Sequence, residues 1–163
     1  MLNRVLMVVL LPAVVVTANA VASDDWPQFR GAGRTGVWNE TRILETFPAS
    51  RLKVRWRTPI HAGYAGPSVS RGRVFLTDSG RTVGNRAMER ALALDEQTGA
   101  VLWTQEWPAD YTGLQLIYAI GPRATPTVDG DRVYVLGAMG RLLALDAATG
   151  KIAWQKDFVR DFD

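Results

Sequence analysis

An internal repeat constrains this chain more than any other feature. The pattern Ala-Leu-Asp-x-x-Thr-Gly-x-x-x-Trp occurs at residues 93–103 and again at 144–154. Upstream, "PSVSRGRVF" matches "PTVDGDRVY" at an offset of 59, whereas the later pattern repeats at an offset of 51. The first copy therefore carries eight extra residues between its two halves. Such a repeat indicates that each unit buries its apolar surface against similar neighbours.

Each copy of the repeat predicts four short strands. The stretches "RVFLTD" and "RVYVLG" are rich in β-branched and aromatic residues and follow turn signals. The stretches "RALALD" and "RLLALD" favour helix when taken alone, but the turns around the second leave too few residues for a stable helix. We therefore interpret both stretches as strands.

The turn Asp-x-x-Thr-Gly has a local physical explanation. Its aspartate can accept bonds from backbone N–H groups two residues later, and its glycine can adopt the left-handed conformation that closes a hairpin loop. The residues of the repeat that we interpret as structural are Asp95, Thr98, Gly99, Trp103, Asp146, Thr149, Gly150 and Trp154.

Apolar residues occupy both faces of the predicted strands, as in the run Leu142–Leu145. An antiparallel sheet with one face in water would alternate polar and apolar residues instead. Small sheets that are buried on both sides are typical of the blades of a propeller, with the regular tryptophans packed between neighbouring blades. The sequence therefore predicts an all-β propeller.

The repeated pattern resembles the tryptophan-docking repeat of quinoprotein-type β-propellers. That group includes alcohol dehydrogenases dependent on pyrroloquinoline quinone (PQQ) and the propeller lipoprotein of outer-membrane barrel assembly. The opening "DWPQFRGAGRTGV" is similar to the start of secreted bacterial PQQ-like propeller proteins. The resemblance covers nearly all of residues 24–158 and implies a ring of about eight blades. On this basis we expect the chain to be the N-terminal part of a longer protein.

The domain organisation follows from the repeat and from the N-terminal composition. In "LKVRWRTPI", Trp56 corresponds to Trp103 and Trp154, which predicts a strand that completes the last blade and so seals the ring. The expected segments are a signal peptide at 1–22, a loop segment at 23–50 and a partial propeller at 51–163. Within the propeller we expect the sealing strand at 51–60, blade one at 65–107 and blade two at 123–158.

The first 22 residues have the pattern of an export signal. Arg4 precedes an apolar run from Val5 to Val16, and small residues then offer cleavage after Ala20 or Ala22. The apolar run is short for a bilayer span of about 20 residues. We therefore expect a periplasmic or extracellular protein, with no stable membrane insertion after the signal is removed.

The glycine spacing of "GAGRTG", residues 31–36, matches the G-x-G-x-x-G motif of dinucleotide-binding folds. That motif must follow a buried strand and open a helix. Here it follows "SDDWPQFR", which contains a proline and two aspartates and is no buried parallel strand. We interpret these residues as a loop that lets Trp26 and Phe29 pack against the blades.

Composition excludes several classes of site. The chain contains no cysteine, which excludes thiolate metal sites, attached c-type haem and a lipid-modified N-terminal cysteine. The single histidine, His61, cannot build a multi-histidine site and is interpreted as a loop residue. The net charge is +3 without a basic run, so no nucleic-acid partner is expected.

Two functions remain open. The first is a non-catalytic exported propeller that binds or scaffolds a protein or small ligand, which needs nothing beyond the repeat. The second, implied by the resemblance alone, is part of a dehydrogenase that oxidises an alcohol or sugar with PQQ and Ca²⁺. No catalytic, cofactor-binding or metal-binding residue can be assigned for that activity. Asn85, Glu106 and Asp110 are better explained as solvated surface residues than as calcium ligands.

Alternating strand directions place both long excursions of the chain on one face of the propeller. They are residues 79–89, which hold the eight-residue insertion, and residues 108–122. Long loops of this kind often carry function. The candidate ligand-face residues are Arg81, Arg86, Asp110, Tyr111 and Tyr118. An alternative is that the two tyrosines only cover the rim of the core. Because two blades leave apolar surface exposed, self-association is also expected.

Overall fold

The computed structural model of the chain describes residues 25–38, 41, 43–114 and 120–162, without the side chains of residues 81 and 82. The expected signal peptide at 1–22 and Tyr118 lie outside the described residues. Eight strands and one short helix follow one another along the described chain, and the strands form two separate antiparallel sheets of four.

Blade one is the first sheet, with its strands in sequence order. It consists of β1 (Ser68–Ser70), β2 (Arg73–Val83), β3 (Arg86–Asp95) and β4 (Val101–Asp110). Blade two has the same order and consists of β5 (Thr127–Asp129), β6 (Arg132–Leu136), β7 (Arg141–Asp146) and β8 (Ile152–Asp157). The expected four strands per repeat are confirmed, including the helix-prone stretches that form β3 and β7.

The two blades repeat one another in register as well as in order. Phe75 pairs with Ala93 and Ala93 with Trp103, as Tyr134 pairs with Ala144 and Ala144 with Trp154. Each outer strand contains a register shift one pair further on, where Leu94 pairs with Val101 and Leu145 with Ile152. A bulge of this kind bends the strand and re-aims its side chains. The ring centroids of Phe75 and Trp103 in blade one lie 6.0 Å apart, and those of Tyr134 and Trp154 in blade two lie at the same distance.

The main core lies between the two sheets. Its buried residues come from β2, β3 and β4 of blade one and from β6 and β7 of blade two, with Trp103 packed against them. These buried residues are Phe75, Ala91, Ala93, Trp107, Val133, Val135, Leu143 and Leu145. On the other side of blade one, a smaller cluster of Leu76, Leu92 and Leu94 packs against Trp56. Strands β2 and β3 of blade one are therefore buried on both faces, as a propeller requires.

The eight-residue insertion does not form the long loop that we expected at residues 79–89. Strands β2 and β3 continue through it, with Val83 paired to Arg86 around a tight turn at residues 84–85. The register shifts between Ser79 and Thr82, because β2 contains one residue more there than the segment of β3 that pairs with it. An extended hairpin satisfies backbone N–H and C=O groups that a loop would leave to solvent. The other excursion is also shorter than expected, because β4 runs through Asp110.

The N-terminal segment joins the inner edges of both blades. Trp26 exchanges backbone hydrogen bonds with Val69 of β1, at 2.8 and 2.9 Å, and the carbonyl of Pro27 accepts a bond from Val128 N of β5 at 2.7 Å. The Trp26 ring packs against Gly31 of its own segment. Phe29, however, is 67% exposed, so the expectation that it packs against the blades is wrong.

Residues 51–60 run without strand pairing in the structure, although they were expected to form the sealing strand. Trp56 nevertheless packs against blade one, as its correspondence to Trp103 predicted. After β8 the chain forms α1 (Phe158–Phe162), a single turn that the sequence analysis did not predict. Among the described residues, no helix is long and apolar enough to cross a bilayer.

Candidate functional site

Because strand directions alternate, the connections between strands lie at two opposite ends of the blades. Residues 71–72, 96–100, 130–131 and 147–151 connect strands at one end, which we call the turn face. Residues 84–85, 111–114 and 137–140 lie at the other end, which we call the hairpin face. Four candidate ligand residues from the sequence, Arg81, Arg86, Asp110 and Tyr111, belong to the hairpin face or to the strands that lead to it.

The repeated motif residues are placed on the turn face, where they make the same contacts twice. Asp95 Oδ1 accepts bonds from Thr98 N at 2.8 Å and Thr98 Oγ1 at 2.7 Å, and Asp146 accepts the same two bonds from Thr149 at 2.9 and 2.7 Å. The bond from the threonine hydroxyl is the main reason why the pKa of Asp146 lies below its usual value, and Asp95 behaves alike. These hydrogen bonds close the same turn in both blades.

Trp56 and Trp103 dock on the turns of the units that follow them. Trp56 Nε1 donates to the Glu96 carbonyl at 2.8 Å, and Trp103 Nε1 donates to the Ala147 carbonyl at 3.1 Å. The rings lie over Gly99 and Gly150, where no Cβ would fit. Trp103 therefore lies between neighbouring blades, as the sequence predicted. Trp154 is 45% exposed and contacts Tyr134 within its own blade.

The extended hairpin of blade one forms an open groove on the hairpin face. Its volume is about 560 Å³, and its lining is mostly apolar, with Val83, Met88 and Pro108 among the residues. Arg86 and Asp110 pair across the ladder at 3.6 Å and stand at the same groove with exposed side chains. The hydroxyl and backbone N–H of Thr112 also bond to Asp110 and, together with Arg86, hold its pKa below the usual value.

Tyr111 is buried, so the expectation that it contacts a ligand directly is wrong. Only 2% of its surface is exposed, and it packs with Ala87 and Ala109 in a cluster with Ile120 and Met139. Its hydroxyl donates to Glu89 Oε1 at 2.5 Å. Burial, and then that hydrogen bond, raises the pKa of Tyr111 far above its usual value, so the hydroxyl stays protonated. The alternative interpretation of Tyr111, as a cover of the core, agrees with this position.

Two buried carboxylates lie below the hairpin face. Asp78 bonds to both Arg90 Nε at 2.8 Å and Arg90 Nη2 at 2.6 Å, and accepts a third bond from His61 N at 2.8 Å. Glu89 is completely buried and accepts bonds from Trp107 Nε1, Tyr111 and Ala138 N. Sequence reasoning missed both acids, since single acids in a strand are usually exposed. The only signal was position: Glu89 shares the inward face of β3 with Ala87 and Ala91.

The described residues do not form a calcium site. Calcium needs six to eight oxygen ligands, several of them carboxylates. The two buried carboxylates are already engaged by protein donors, as described above, and Asp110 bonds to Thr112 and Arg86. In the part of the chain that the structure describes, no three His, Asp or Glu side chains converge to hold a metal ion.

Comparisons with known proteins identify the repeat. The family described as outer membrane protein assembly factor BamB matches residues 46–158. Quinohemoprotein alcohol dehydrogenase of Comamonas testosteroni is 31% identical over 152 residues, which cover 87% of this chain and 19% of the relative. Serine/threonine-protein kinase AfsK of Streptomyces griseus is 32% identical over 126 residues, 76% of this chain and 14% of the relative.

A solved structure extends the comparison to the fold. The crystal structure of the Comamonas testosteroni quinohemoprotein alcohol dehydrogenase superposes with a TM-score of 0.56 and 24% identity, over 88% of this chain and 21% of that chain. The chain thus spans about a fifth or less of the length of these relatives. A dehydrogenase and a kinase share the matched region, so the likeness lies in the repeat rather than in one activity. The chain belongs to the BamB family of PQQ-like β-propeller repeat proteins.

Proposed function

We propose that the chain is part of an exported propeller that acts as a binding or scaffold module, and that its partner contacts the hairpin face. Membership of a family described as an outer membrane assembly factor supports a role in protein interaction. The repeat itself supplies packing residues on both sides of each sheet and leaves function to the loops and hairpins that differ between blades.

The extended hairpin of blade one is the observation that carries this proposal. Strands β2 and β3 have 11 and 10 residues, whereas the corresponding β6 and β7 have 5 and 6. Blade two forms the same four-stranded sheet without this additional length, which in blade one builds the groove beside Arg86 and Asp110. The turn face, by contrast, carries the same short turn in both blades, and Ser70 Oγ and Arg71 N at that end donate hydrogen bonds to the carboxylate of Asp25.

Site-specific photo-crosslinking in the producing cells tests which face meets the partner. A crosslinking amino acid would replace Arg86 on the hairpin face and, as the matched control, the exposed Gln97 on the turn face. We expect a covalent adduct of defined mass from position 86 and none from position 97. Equal adducts at both positions, or an adduct from position 97 alone, would contradict the proposed binding face.

A second variant tests the hairpin as a whole. Residues 80–87 would be deleted, so that the first blade turns where the second one does. We expect the adduct to disappear when the crosslinking amino acid is placed at Pro108, while the circular dichroism of the sheets is retained. Retention of the adduct in this shortened protein would show that the hairpin is dispensable for binding.

The alternative function is that of a PQQ- and calcium-dependent dehydrogenase subunit or domain. The similarity to the Comamonas testosteroni enzyme favours it. Absorbance titration of the full-length protein with PQQ, with and without Ca²⁺, distinguishes the two functions. A saturable spectral change that requires calcium would favour the dehydrogenase, and its absence would favour the binding module.

Export is tested separately by mass spectrometry of the mature protein. The charged, apolar and small-residue regions described above predict a mature N-terminus that follows Ala20 or Ala22. A mature protein that still begins at Met1 would contradict export by cleavage.

A further inference from the structure

Glu89 is an unusual residue at the boundary between the blades. It lies in the part of β3 that extends beyond the length of the corresponding strand β7, and its side chain is completely buried. A buried carboxylate is costly unless it is well hydrogen-bonded or paired with a cation. Here the carboxylate accepts hydrogen bonds from three groups of the protein.

Three separate parts of the chain supply these donors. Trp107 Nε1 of β4 donates to Glu89 Oε2 at 2.7 Å. The hydroxyl of Tyr111, the first residue after β4, donates to Oε1. The third donor comes from blade two, where Ala138 N of the β6–β7 turn donates to Oε1 at 3.1 Å. One carboxylate therefore joins the extended hairpin, the start of the interblade connection and the neighbouring blade.

The turn of blade two is shaped to accept this contact. Gly137 precedes Ala138, and a Cβ at its position would collide with Glu89 Oε2 and lie 2.8 Å from Trp107 Nε1. The backbone N–H of Gly137 bonds to the carbonyl of Arg141 at 2.8 Å and closes the turn, which leaves Ala138 N free to reach the carboxylate. Only a glycine lets the turn approach so closely.

We propose that Glu89 is a positioning residue of the hairpin face. Its carboxylate holds the extended hairpin, residues 111–114 and the β6–β7 turn at fixed separations, so that both sides of this face move together. Hydrogen bonds to a charged acceptor are stronger than hydrogen bonds between two neutral groups, so a carboxylate is suited to this role. The inference concerns the protein without its partner and does not depend on the proposed function.

Glu89→Gln in the full-length protein tests the proposal. Glutamine keeps the size of the side chain but replaces one acceptor oxygen with an amide group that faces a donor. We expect the indole N–H resonance of Trp107 to shift, and the Ala138 amide to exchange with solvent about tenfold faster or more. Residues 132–136 should retain their exchange rates. The matched control is Glu106→Gln, which removes an exposed carboxylate of the adjacent strand and should change neither signal.

Two outcomes would overturn the proposal. One is unchanged exchange at Ala138 in Glu89→Gln, and the other is an equal rise throughout both sheets, which is the sign of a general loss of stability. If Glu89→Gln does not fold, Gly137→Ala probes the contact from the opposite side and leaves Glu89 in place. It should produce the same local rise at Ala138, and unaltered exchange there would equally overturn the proposal.

Discussion

At the scale of single residues, the contacts of the Asp-x-x-Thr-Gly turn explain why the same residue types occur in both copies of the repeat. The aspartate accepts bonds from the threonine, and Gly99 and Gly150 have φ values of 72° and 73°, a left-handed conformation that favours glycine. Both glycines also lie beneath a tryptophan ring. The glycine is therefore required twice, once by the backbone and once by the docking of the ring.

Replacement of Gly150 separates these two requirements. Gly130 also has a left-handed φ, of 58°, but open space surrounds it. Gly130→Ala should lower the free energy of unfolding by about 1–2 kcal/mol through backbone strain alone. Gly150→Ala should lower it further, because its Cβ would lie 2.6 Å from Trp103. Urea unfolding of both variants measures the difference, and equal losses would contradict the docking requirement.

The threonine of the turn contributes to stability in a way that depends on pH. Thr149→Val should raise the pKa of Asp146 towards its ordinary value, because the hydroxyl bond is the largest cause of the lowered pKa. A carboxyl whose pKa is lowered by folding stabilises the protein above its unfolded pKa, and that stabilisation is lost as the pH falls through the folded pKa. The stability deficit of Thr149→Val should therefore shrink on acidification.

Titration of the Asp146 carboxyl by NMR, together with unfolding at several pH values, checks this effect. The matched control is Thr104→Val, since Thr104 is an exposed threonine of β4 outside the turn. It should leave the Asp146 titration unchanged. A deficit in Thr149→Val that stays constant from neutral to acidic pH would contradict the linkage.

At the scale of elements, the outer strand of each blade joins one sheet to the next. The bulge in β4 aims Trp103 at the turn of blade two, and Phe75 supports the ring from behind. Trp103→Ala should lower the free energy of unfolding by about 3–5 kcal/mol, the usual cost of the loss of a packed tryptophan. Trp154→Ala is the matched control, because its equivalent ring is 45% exposed, and it should cost less. Thermal unfolding checks both, and equal costs would count against interblade docking.

The strands also mark how far local sequence patterns can predict elements. The predicted strand stretches of both copies are strands in the structure. The hairpin at residues 79–89 was missed, because "SGRTVGNRAME" contains two glycines and little alternation, which is typical of a loop. Its strand structure depends on pairing with β4, whose residues through Asp110 provide the partner of β3. This pairing depends on the tertiary structure, so the sequence of residues 79–89 contains no local signal for it.

At the scale of the whole molecule, apolar side chains remain exposed on the outer strands and on the N-terminal segment. Among the described residues, exposed examples are Phe47, Val101, Leu102, Ile152 and Trp154. Contiguous apolar surface promotes association. We expect this 163-residue chain by itself to self-associate, as measured by sedimentation velocity at several concentrations. A monomer that melts cooperatively at every concentration would contradict this expectation.

The sequence by itself determined the repeat, the four-stranded units, the turn chemistry and the fold class, because these depend on short-range spacing that recurs in two copies. Only the tertiary structure decided where the inserted residues go, that Tyr111 is buried, and that Glu89 joins the two blades. The physical reason is that burial and hydrogen bonding of a side chain depend on groups distant in sequence. Ala138, which bonds to Glu89 across 49 residues, cannot be recognised as its partner from spacing.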